Sequence, residues 1–323
     1  MNAQSPLQPR PLGRSGLSTL PLALGGNAIG WTADEPTSHA VLDHFVDAGF
    51  SLIDTADVYS KWVPGHVGGE SETIIGRWLK KNPAKRARVL VATKVGGEMA
   101  TGSKGLSARH IRAAVEDSLR RLQTDYIDLY QAHYDDPTVG FDETLRAFGD
   151  LIAAGKVRAI GVSNHDLARL KAVLEASARH GLPRYETLQP LYNLYDRQDF
   201  EQNFAPVCRA QGLGVINFYA LASGFLTGKY RTEQDVSASK RKRSNQKYLN
   251  ERGLRILAAL DTVAARTGAK PAQIAIAWLV AQPVITAPIA SATSVAQVRE
   301  LIAAVRLSLD AESKALLDGA SAW

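Results

Sequence analysis

Three ionisable residues stand at the ends of three successive apolar runs in the N-terminal half of the chain. They are Asp54, Lys94 and His133. Each alone has an ordinary structural explanation, as a turn cap, a solvated charge or a structural histidine. Tyr59 follows Asp54 by five positions and adds a phenol beside the first run. The four residue types together are suited to proton transfer at a carbonyl oxygen.

The chemistry of this set depends on the pKa of the phenol. A free phenol has a pKa of about 10, which is too high for efficient acid catalysis near neutrality. A neighbouring lysine ammonium lowers that pKa, and a carboxylate fixes the position of the lysine. A histidine can donate a hydrogen bond to the substrate oxygen and stabilise negative charge that develops there as a hydride arrives. No side chain supplies a hydride, so the reaction requires a cofactor.

The elements that position these residues are short apolar runs that alternate with amphipathic helical patterns. Such alternation predicts a parallel sheet, and eight repeats in 323 residues favour a closed (β/α)8 TIM barrel over an open doubly wound sheet. The open dinucleotide-binding fold should carry G-x-G-x-x-G after its first strand, and residues 24–30 do not match. Strands of a barrel end at one shared mouth, which brings the ionisable residues together. The predicted strands are 20–24, 51–56, 89–95, 126–132, 157–162, 187–191, 214–218 and 285–289.

Other segments complete a single predicted domain that spans residues 1–323. Two glycines in residues 11–19 predict an N-terminal β-hairpin before the barrel. Ser107 is expected to cap a helix, and residues 141–154 and 271–281 are predicted helices. Residues 227–251 lack periodicity, and a loop of that length is expected to be functional or mobile.

Composition restricts the class of protein. The single cysteine, Cys208, allows no disulfide within the chain, and the absence of N-x-S/T sites fits a cytoplasmic protein. We expect no secretory signal, because the first residues of the chain contain no apolar run. We expect no membrane partner, because no apolar run reaches about 18 residues. The net charge is +6, and the basic run at 240–243 is interpreted as a solvated loop. No nucleic-acid partner is expected, and no Cys/His spacing predicts a metal site.

These motifs identify a family. The chain resembles the aldo-keto reductases over nearly its whole length. The segment 54–59, Asp-Thr-Ala-Asp-Val-Tyr, is similar to the family signature, and 92–94 and 128–133 are similar to its lysine and histidine strands. The resemblance implies that Tyr59 is the general acid/base, supported by Asp54, Lys94 and His133.

The resemblance also implies an NADPH/NADP+ cofactor, with NADH as an alternative. Segments 161–164 and 189–193 are similar to the strands that bind the nicotinamide carboxamide. Segment 221–230 is similar to the loop around the pyrophosphate, and 291–300 to the adenosine-phosphate segment. The residues expected to bind the cofactor are Ser163, Asn164, Gln189, Phe218, Tyr219, Leu221, Ser223, Gly224, Lys229, Ser291, Thr293, Gln297 and Glu300.

The chain departs from the family pattern at the cofactor. Leu301 replaces an asparagine that usually follows the glutamate, and no arginine lies near Thr293. Lys229, Arg231 or the basic run at 240–243 is a candidate for the missing positive charge. A preference for NADPH over NADH remains the expectation.

The aromatic residues Trp31, Trp62 and Tyr134 are expected at the barrel mouth together with Tyr219. They indicate a small-molecule substrate that is an apolar or aromatic aldehyde or ketone, reduced or formed in reverse. Two alternatives stay open. One is a nicotinamide-binding regulatory subunit with slow turnover, since some barrels with this resemblance serve channels. The other is a lyase that uses Lys94 as a Schiff base.

Overall fold

The computed structural model describes residues 7–237 and 245–323. Eight parallel strands form one sheet in chain order, except that the last strand pairs with the first. Two further strands form an antiparallel hairpin before the sheet. The strands are β1 Arg10–Pro11, β2 Ser18–Thr19, β3 Ala23–Gly25, β4 Leu52–Asp54, β5 Leu90–Val95, β6 Ile127–Ala132, β7 Val157–Ser163, β8 Thr187–Gln189, β9 Gly214–Val215 and β10 Ile289–Ala290.

The sheet closes into the predicted (β/α)8 barrel. The Thr286 backbone N–H donates to the Val215 carbonyl at 2.8 Å, and the Ile289 N–H donates to the Asn217 carbonyl at 2.9 Å. The eighth strand was predicted at 285–289, but its regular ladder covers only Ile289–Ala290. Pro288 has no backbone N–H, so the residues before it join β9 through irregular hydrogen bonds. The other seven strands overlap their predicted ranges.

Helices surround the barrel, and the helix cap predicted at Ser107 is confirmed. The Ser107 hydroxyl accepts a hydrogen bond from the His110 N–H. Short 3-10 turns span Gly26–Ala28 and Ala222–Thr227, and a π turn spans Phe200–Phe204. The α-helices are α1 Glu35–Asp47, α2 Glu70–Lys81, α3 Pro83–Arg86, α4 Ala108–Leu122, α5 Phe141–Ala153, α6 Leu167–His180, α7 Ala205–Gln211, α8 Glu233–Ser237, α9 Glu251–Thr267, α10 Pro271–Val280, α11 Val295–Ala304 and α12 Ala311–Ala320.

The core has two layers. Small and branched residues such as Leu52, Ala92 and Leu129 fill the barrel interior, and Leu12 and Leu17 of the hairpin pack against them. A larger apolar cluster lies between the strands and the helices. The hairpin therefore covers the N-terminal end of the barrel and leaves the C-terminal end as the open mouth.

One close helix contact explains a glycine. A Cβ atom at Gly76 of α2 would lie 2.0 Å from the carbonyl oxygen of Arg121 at the end of α4, so only glycine fits there. The contact brings α2 and α4 together over the outer side of β5. Within the described residues, none of the helices has the length and apolar character needed to cross a membrane. The basic run Lys240–Arg243 lies outside those residues.

Candidate active site

Strands β4 and β5 bring Asp54 and Lys94 into direct contact at the barrel mouth. The Lys94 Nζ donates to Asp54 Oδ2 at 2.7 Å and to the carbonyl oxygen of Thr55 at 2.8 Å. Its third hydrogen bond, at 3.1 Å, joins it to the Tyr59 hydroxyl oxygen. An ammonium group has three N–H donors, so all three are used. Lys94 and Asp54 are fully buried, and burial strengthens their attraction.

The Tyr59 hydroxyl is a protonated group at neutral pH. Burial raises the pKa of Tyr59 to about 12, while the charge of Lys94 lowers it and the charge of Asp54 raises it. The sequence predicted the lowering effect of the lysine, but burial outweighs that effect in the folded protein. The lysine itself stays charged, because the carboxylate and phenol beside it outweigh its own burial and raise its pKa.

The second oxygen of Asp54 is held by two amides. Gln189 Nε2 donates to Asp54 Oδ1 at 2.9 Å, and Gln131 Nε2 donates to the same oxygen at 3.2 Å. Gln189 Nε2 also donates to Gln131 Oε1 at 3.2 Å. Gln131 was not among the site residues predicted from the sequence. It lies on β6, two positions before His133, which directly follows that strand. Residues two apart on a strand share a face, so this spacing was the available signal that Gln131 faces inward.

His133 follows β6 and is neutral. Its pKa lies well below the usual value because burial removes water from the ring and the charges of Lys94 and Lys61 oppose a further positive charge. The ring stacks on Tyr134, with centroids 4.6 Å apart, and meets the Tyr59 ring edge-on at 6.0 Å. Its Nδ1 atom is buried without a hydrogen-bond partner. A neutral imidazole keeps one N–H that can donate to a ligand.

The end of β7 continues this polar rim. The Ser163 hydroxyl donates to the carbonyl oxygen of Gln189 at 2.9 Å. The Asn164 amide donates to the carbonyl oxygen of His133 at 2.9 Å and to Ser163 Oγ at 3.0 Å. Asn164 has a φ of 50°, which asparagine tolerates better than most residues. The ends of β6, β7 and β8 are thus joined by side-chain hydrogen bonds.

These residues line a cavity of about 990 Å³ that opens at the barrel mouth. Lys94 does not line it and reaches it only through Tyr59. Trp31 does not line it either, and packs edge-to-face on Trp62 with centroids 5.6 Å apart. The other predicted site residues all line the cavity: Asp54, Tyr59, Trp62, His133, Tyr134, Ser163, Asn164, Gln189, Phe218, Tyr219, Leu221, Ser223, Gly224, Lys229, Ser291, Thr293, Gln297 and Glu300.

The loop after β9 has an unusual backbone. Tyr219, Ala222, Ser223 and Gly224 all have positive φ angles, from 47° to 96°. Such angles cost about 1 kcal/mol or more for residues other than glycine, so surrounding contacts must hold the loop. The Asn193 amide donates to the Tyr219 carbonyl at 3.0 Å, and Phe225 and Leu226 anchor the loop in the core. The loop is therefore a shaped wall of the cavity.

Helices α10 and α11 form the far end of the cavity. The Thr293 N–H donates to Gln297 Oε1 at 2.8 Å. Lys270, which was not predicted from the sequence as a site residue, forms an ion pair with Glu300. Arg231, a candidate for the missing positive charge, lies outside the cavity lining and pairs with Asp261 at 2.8 Å.

A second buried charged cluster lies on the outer side of β5, between α2 and α4. Glu72 accepts a hydrogen bond from the Thr93 hydroxyl at 2.5 Å and another from Arg121 Nε at 2.6 Å. Asp57 is buried beside them with its Oδ1 unpartnered. Burial, and then the charge of Glu72, raises the pKa of Asp57 to about 8. None of these residues lines the cavity.

Comparison with known proteins agrees with this architecture. The model of the Aldo/keto reductase family matches residues 21–322. The chain is 37% identical over 314 residues to the uncharacterized oxidoreductase YrpG of Bacillus subtilis (strain 168), covering 95% of this chain and 94% of that protein. It is 35% identical over 276 residues to aldo-keto reductase YhdN of the same strain, covering 84% and 78%. The protein belongs to the aldo/keto reductase family of oxidoreductases.

The chain is also similar to a protein whose name indicates a different role. It is 33% identical over 301 residues to a probable voltage-gated potassium channel subunit beta of Oryza sativa subsp. japonica, covering 91% of this chain and 90% of that protein. This similarity is relevant to the alternative that the protein is a nicotinamide-binding regulatory subunit.

Proposed function

We propose that the protein transfers a hydride between NADP(H) and a carbonyl or alcohol substrate, with Tyr59 as the general acid/base. The observation that carries the proposal is the chain from Asp54 through Lys94 to Tyr59, joined at 2.7 and 3.1 Å and ending on the cavity. The proposed cofactor supplies the hydride when it is bound. The residues of the chain supply the proton, the charge stabilisation and the shape of the site.

The residues present fit such a cofactor. A cavity of about 990 Å³ is large enough for an extended ligand. Ser163, Asn164 and Gln189 would hold the carboxamide, and the Phe218 ring would lie against the nicotinamide. The loop after β9, with Leu221, Ser223 and Gly224, would surround the pyrophosphate. Tyr219 and Lys229 would lie beside it. Ser291, Thr293, Gln297 and Glu300 would hold the adenosine end.

The proton moves from Tyr59 Oη to the carbonyl oxygen in the reduction direction. The O–H bond of the phenol breaks, an O–H bond forms on the product alcohol, and Tyr59 is left as a phenolate. Lys94 stabilises that phenolate, because its ammonium is charged and already hydrogen-bonded to Oη. Asp54 holds the lysine, and neutral His133 can donate a hydrogen bond to the same substrate oxygen. Solvent at the cavity mouth returns the proton.

The substrate class follows from the aromatic side chains at the mouth. Trp62, Tyr134 and Tyr219 line the cavity and are 45%, 48% and 40% exposed. Exposed aromatic rings around a proton donor favour aryl or bulky aldehydes and ketones over sugars. Trp31 supports this wall indirectly, through its contact with Trp62.

The two alternatives differ in how the site supports them. A Schiff-base lyase needs a neutral amine at Lys94, whereas its three N–H groups are all engaged and its pKa is raised. That arrangement argues against the lyase. The regulatory subunit has support from the relative named a potassium channel subunit beta. Such a subunit would bind the same cofactor and turn over slowly.

A carbonyl panel tests the proposal. NADPH oxidation is followed by absorbance with aromatic aldehydes, ketones and sugars, and the same panel is run with NADH. We expect NADPH to bind with a Kd in the low micromolar range, about −8 kcal/mol or better, and more tightly than NADH. Aromatic aldehydes should have the higher kcat/KM. Tight binding without turnover on any carbonyl would favour the regulatory subunit, and faster turnover of sugars would contradict the aromatic site.

A further inference from the structure

Lys61 lies two positions after Tyr59, on the turns that follow β4. Its N–H donates to the carbonyl oxygen of Val58 at 3.2 Å. Ser60, between the two residues, has a φ of 74°, and its buried hydroxyl donates to the carbonyl oxygen of Ile29 at 2.9 Å. The buried serine therefore fixes the backbone from which both Tyr59 and Lys61 reach the cavity.

The ammonium group of Lys61 has no carboxylate partner among the described residues. Its Nζ donates to the backbone carbonyl oxygen of Glu98, which uses one of its three N–H groups. The Glu98 carboxylate also could have neutralised the charge, but it pairs with Lys104 at 3.3 Å instead. Lys61 therefore keeps its full charge and can donate two further hydrogen bonds to a ligand.

The charge of Lys61 acts at the reacting end of the cavity. Burial, then the charge of Lys94 and then the charge of Lys61 lower the pKa of His133, so the Lys61 charge reaches that ring. The charge of Lys94 is balanced by the Asp54 carboxylate, 2.7 Å away. Among the described residues at this end, Lys61 is therefore the cation whose charge no carboxylate balances.

Aromatic side chains lie beside this ammonium group. Trp62 is the next residue, and its ring centroid is 6.0 Å from that of Tyr59. Tyr134 stacks on His133 with centroids 4.6 Å apart. Trp62 and Tyr134 are both exposed and line the cavity. An aryl group can pack on these rings while a negatively charged substituent contacts Lys61.

The number of cations decides which anion fits. The other lysines that line the cavity within the described residues are Lys229, which follows the loop after β9, and Lys270, the N-cap of α10. A phosphate monoester carries a charge of about −1.5 to −2 at neutral pH, which one ammonium group does not balance. A carboxylate carries a single negative charge, and lysine binds it as a point charge. A carboxylate therefore matches Lys61.

We propose that the substrate is an aryl aldehyde or ketone that carries a carboxylate, and that Lys61 binds this carboxylate while Trp62 and Tyr134 contact the ring. The inference rests on the proposed carbonyl reduction at Tyr59 and names its substrate class. Lys61 is then a specificity-determining residue. Its charge also attracts such substrates to the mouth, and this attraction weakens as salt is added.

Matched aldehydes test the assignment on the full chain. The meta- and para-carboxybenzaldehydes are each compared with their methyl ester, which has a similar shape and no charge. For each variant, kcat/KM of the acid is divided by kcat/KM of its ester, so the intrinsic reactivity of the aldehydes cancels between variants. Lys61→Met should lower this ratio by about tenfold for the isomer that wild type prefers, the lower end of the contribution of a hydrogen bond to a charged group. The change should lie in KM.

Two matched variants sharpen the test. Lys61→Arg keeps the charge and should keep the acid-to-ester ratio within about twofold. Lys80→Met removes an exposed lysine of α2 that does not line the cavity, so it changes the net charge equally and should leave the ratio unchanged. Added salt should lower the ratio in wild type more than in Lys61→Met. Thermal melts of each variant establish that the protein is folded.

The outcomes separate this inference from the proposed function. If Lys61 only ties Glu98 to the mouth, Lys61→Met would change acid and ester alike. That result would overturn the inference, although carbonyl turnover would still support the oxidoreductase.

Binding of the product alcohols gives a readout that does not need turnover. The meta- and para-(hydroxymethyl)benzoates and their methyl esters are titrated by NMR, with and without NADP+. Binding of a benzoate that depends on Lys61, without turnover of any carbonyl, would support this inference and contradict the proposed activity. The absence of both binding and turnover would contradict both proposals.

Discussion

Two buried charged clusters lie on opposite sides of strand β5, and they differ in what they face. Consecutive residues of a strand point to opposite faces, so Lys94 points into the barrel and Thr93 points outward. The inner cluster joins Lys94 to Asp54 and ends at the Tyr59 hydroxyl on the cavity. The outer cluster joins Thr93 to Glu72 and Arg121 beneath α2 and α4.

The comparison shows that an unusual pKa does not by itself mark a catalytic group. Asp57 of the outer cluster has a pKa raised to about 8, and such shifts are typical of active sites. It nevertheless lies away from the cavity, so no substrate can reach it. Tyr59 has a shifted pKa and also reaches the cavity. The inner cluster is therefore expected to control the rate, and the outer cluster the stability.

The largest effect should come from the inner cluster. Tyr59→Phe removes the hydroxyl and leaves the ring, so the proposed proton donor is lost while packing is kept. General acid catalysis contributes about 10²- to 10⁴-fold, and we expect the single-turnover rate constant to fall by that factor. The melting temperature and NADPH affinity should stay close to wild type. Carbonyl reduction is measured under single-turnover conditions. A variant that keeps more than about a tenth of the rate would exclude Tyr59 as the essential acid.

The outer cluster should show the opposite pattern. Glu72→Ala leaves the guanidinium of Arg121 without its buried partner, and the free energy of unfolding should fall by about 3 to 5 kcal/mol. The rate of the folded enzyme should change by about twofold or less. Urea unfolding measures the loss. Glu116→Ala is the matched control, because its ion pair with Lys156 is exposed and should contribute at most about 1 kcal/mol. If Glu72→Ala and Glu116→Ala lowered the free energy of unfolding equally, the outer cluster would not be a special source of stability.

Asp57 should make stability depend on pH. Its folded pKa is about 8, above the ordinary value of 3.8, so its contribution is fully present below pH 3.8 and is lost as pH rises through about 8. Across that window the wild type should lose about 1.4 kcal/mol of unfolding free energy per pH unit relative to Asp57→Asn, which stays neutral. Unfolding curves at several pH values test this. Parallel pH profiles for the two proteins would show that Asp57 is not held protonated.

The smallest effect should distinguish two tryptophans. Trp62 lines the cavity and Trp31 packs behind it. Trp62→Ala should raise KM for aromatic aldehydes by about tenfold or less, the usual limit for losing one aromatic contact, and Trp31→Ala should raise it less. Steady-state kinetics on one aromatic and one aliphatic aldehyde provide the comparison. A larger increase in KM for Trp31→Ala than for Trp62→Ala would contradict the proposal that Trp62 contacts the substrate and Trp31 only supports Trp62.

Much of the inner cluster could be predicted from the sequence, because strand ends in a parallel barrel converge on one mouth. Asp54 and Lys94 each end an apolar run, so their contact followed from the alternation of strands and helices. Lys270 could not be predicted this way. Lys270 contacts Glu300, which lies thirty positions later in the chain, only because α10 packs on α11. The periodicity of apolar residues does not predict how these two helices pack.

The pKa of Tyr59 was predictable only in part. The lysine partner could be predicted from residue spacing, and its lowering effect is present. The depth of burial, which dominates, depends on the surrounding side chains of the folded barrel. The eighth strand was displaced for a local reason, since Pro288 interrupts the hydrogen bonds of an otherwise strand-like apolar run.

The most direct test of Tyr59 as the proton-transfer residue is the rate of alcohol oxidation against pH in single turnovers. Wild type and Tyr59→Phe are compared from about pH 6 to about pH 10, each also in an Asp57→Asn background, which removes a buried carboxyl group whose pKa lies in this window. The wild-type rate should rise with pH, because a phenol with a pKa of about 12 must lose its proton to act as the base. The Tyr59→Phe rate should be lower by about 10²-fold or more and independent of pH. A Tyr59→Phe enzyme that follows the wild-type pH profile would contradict the account.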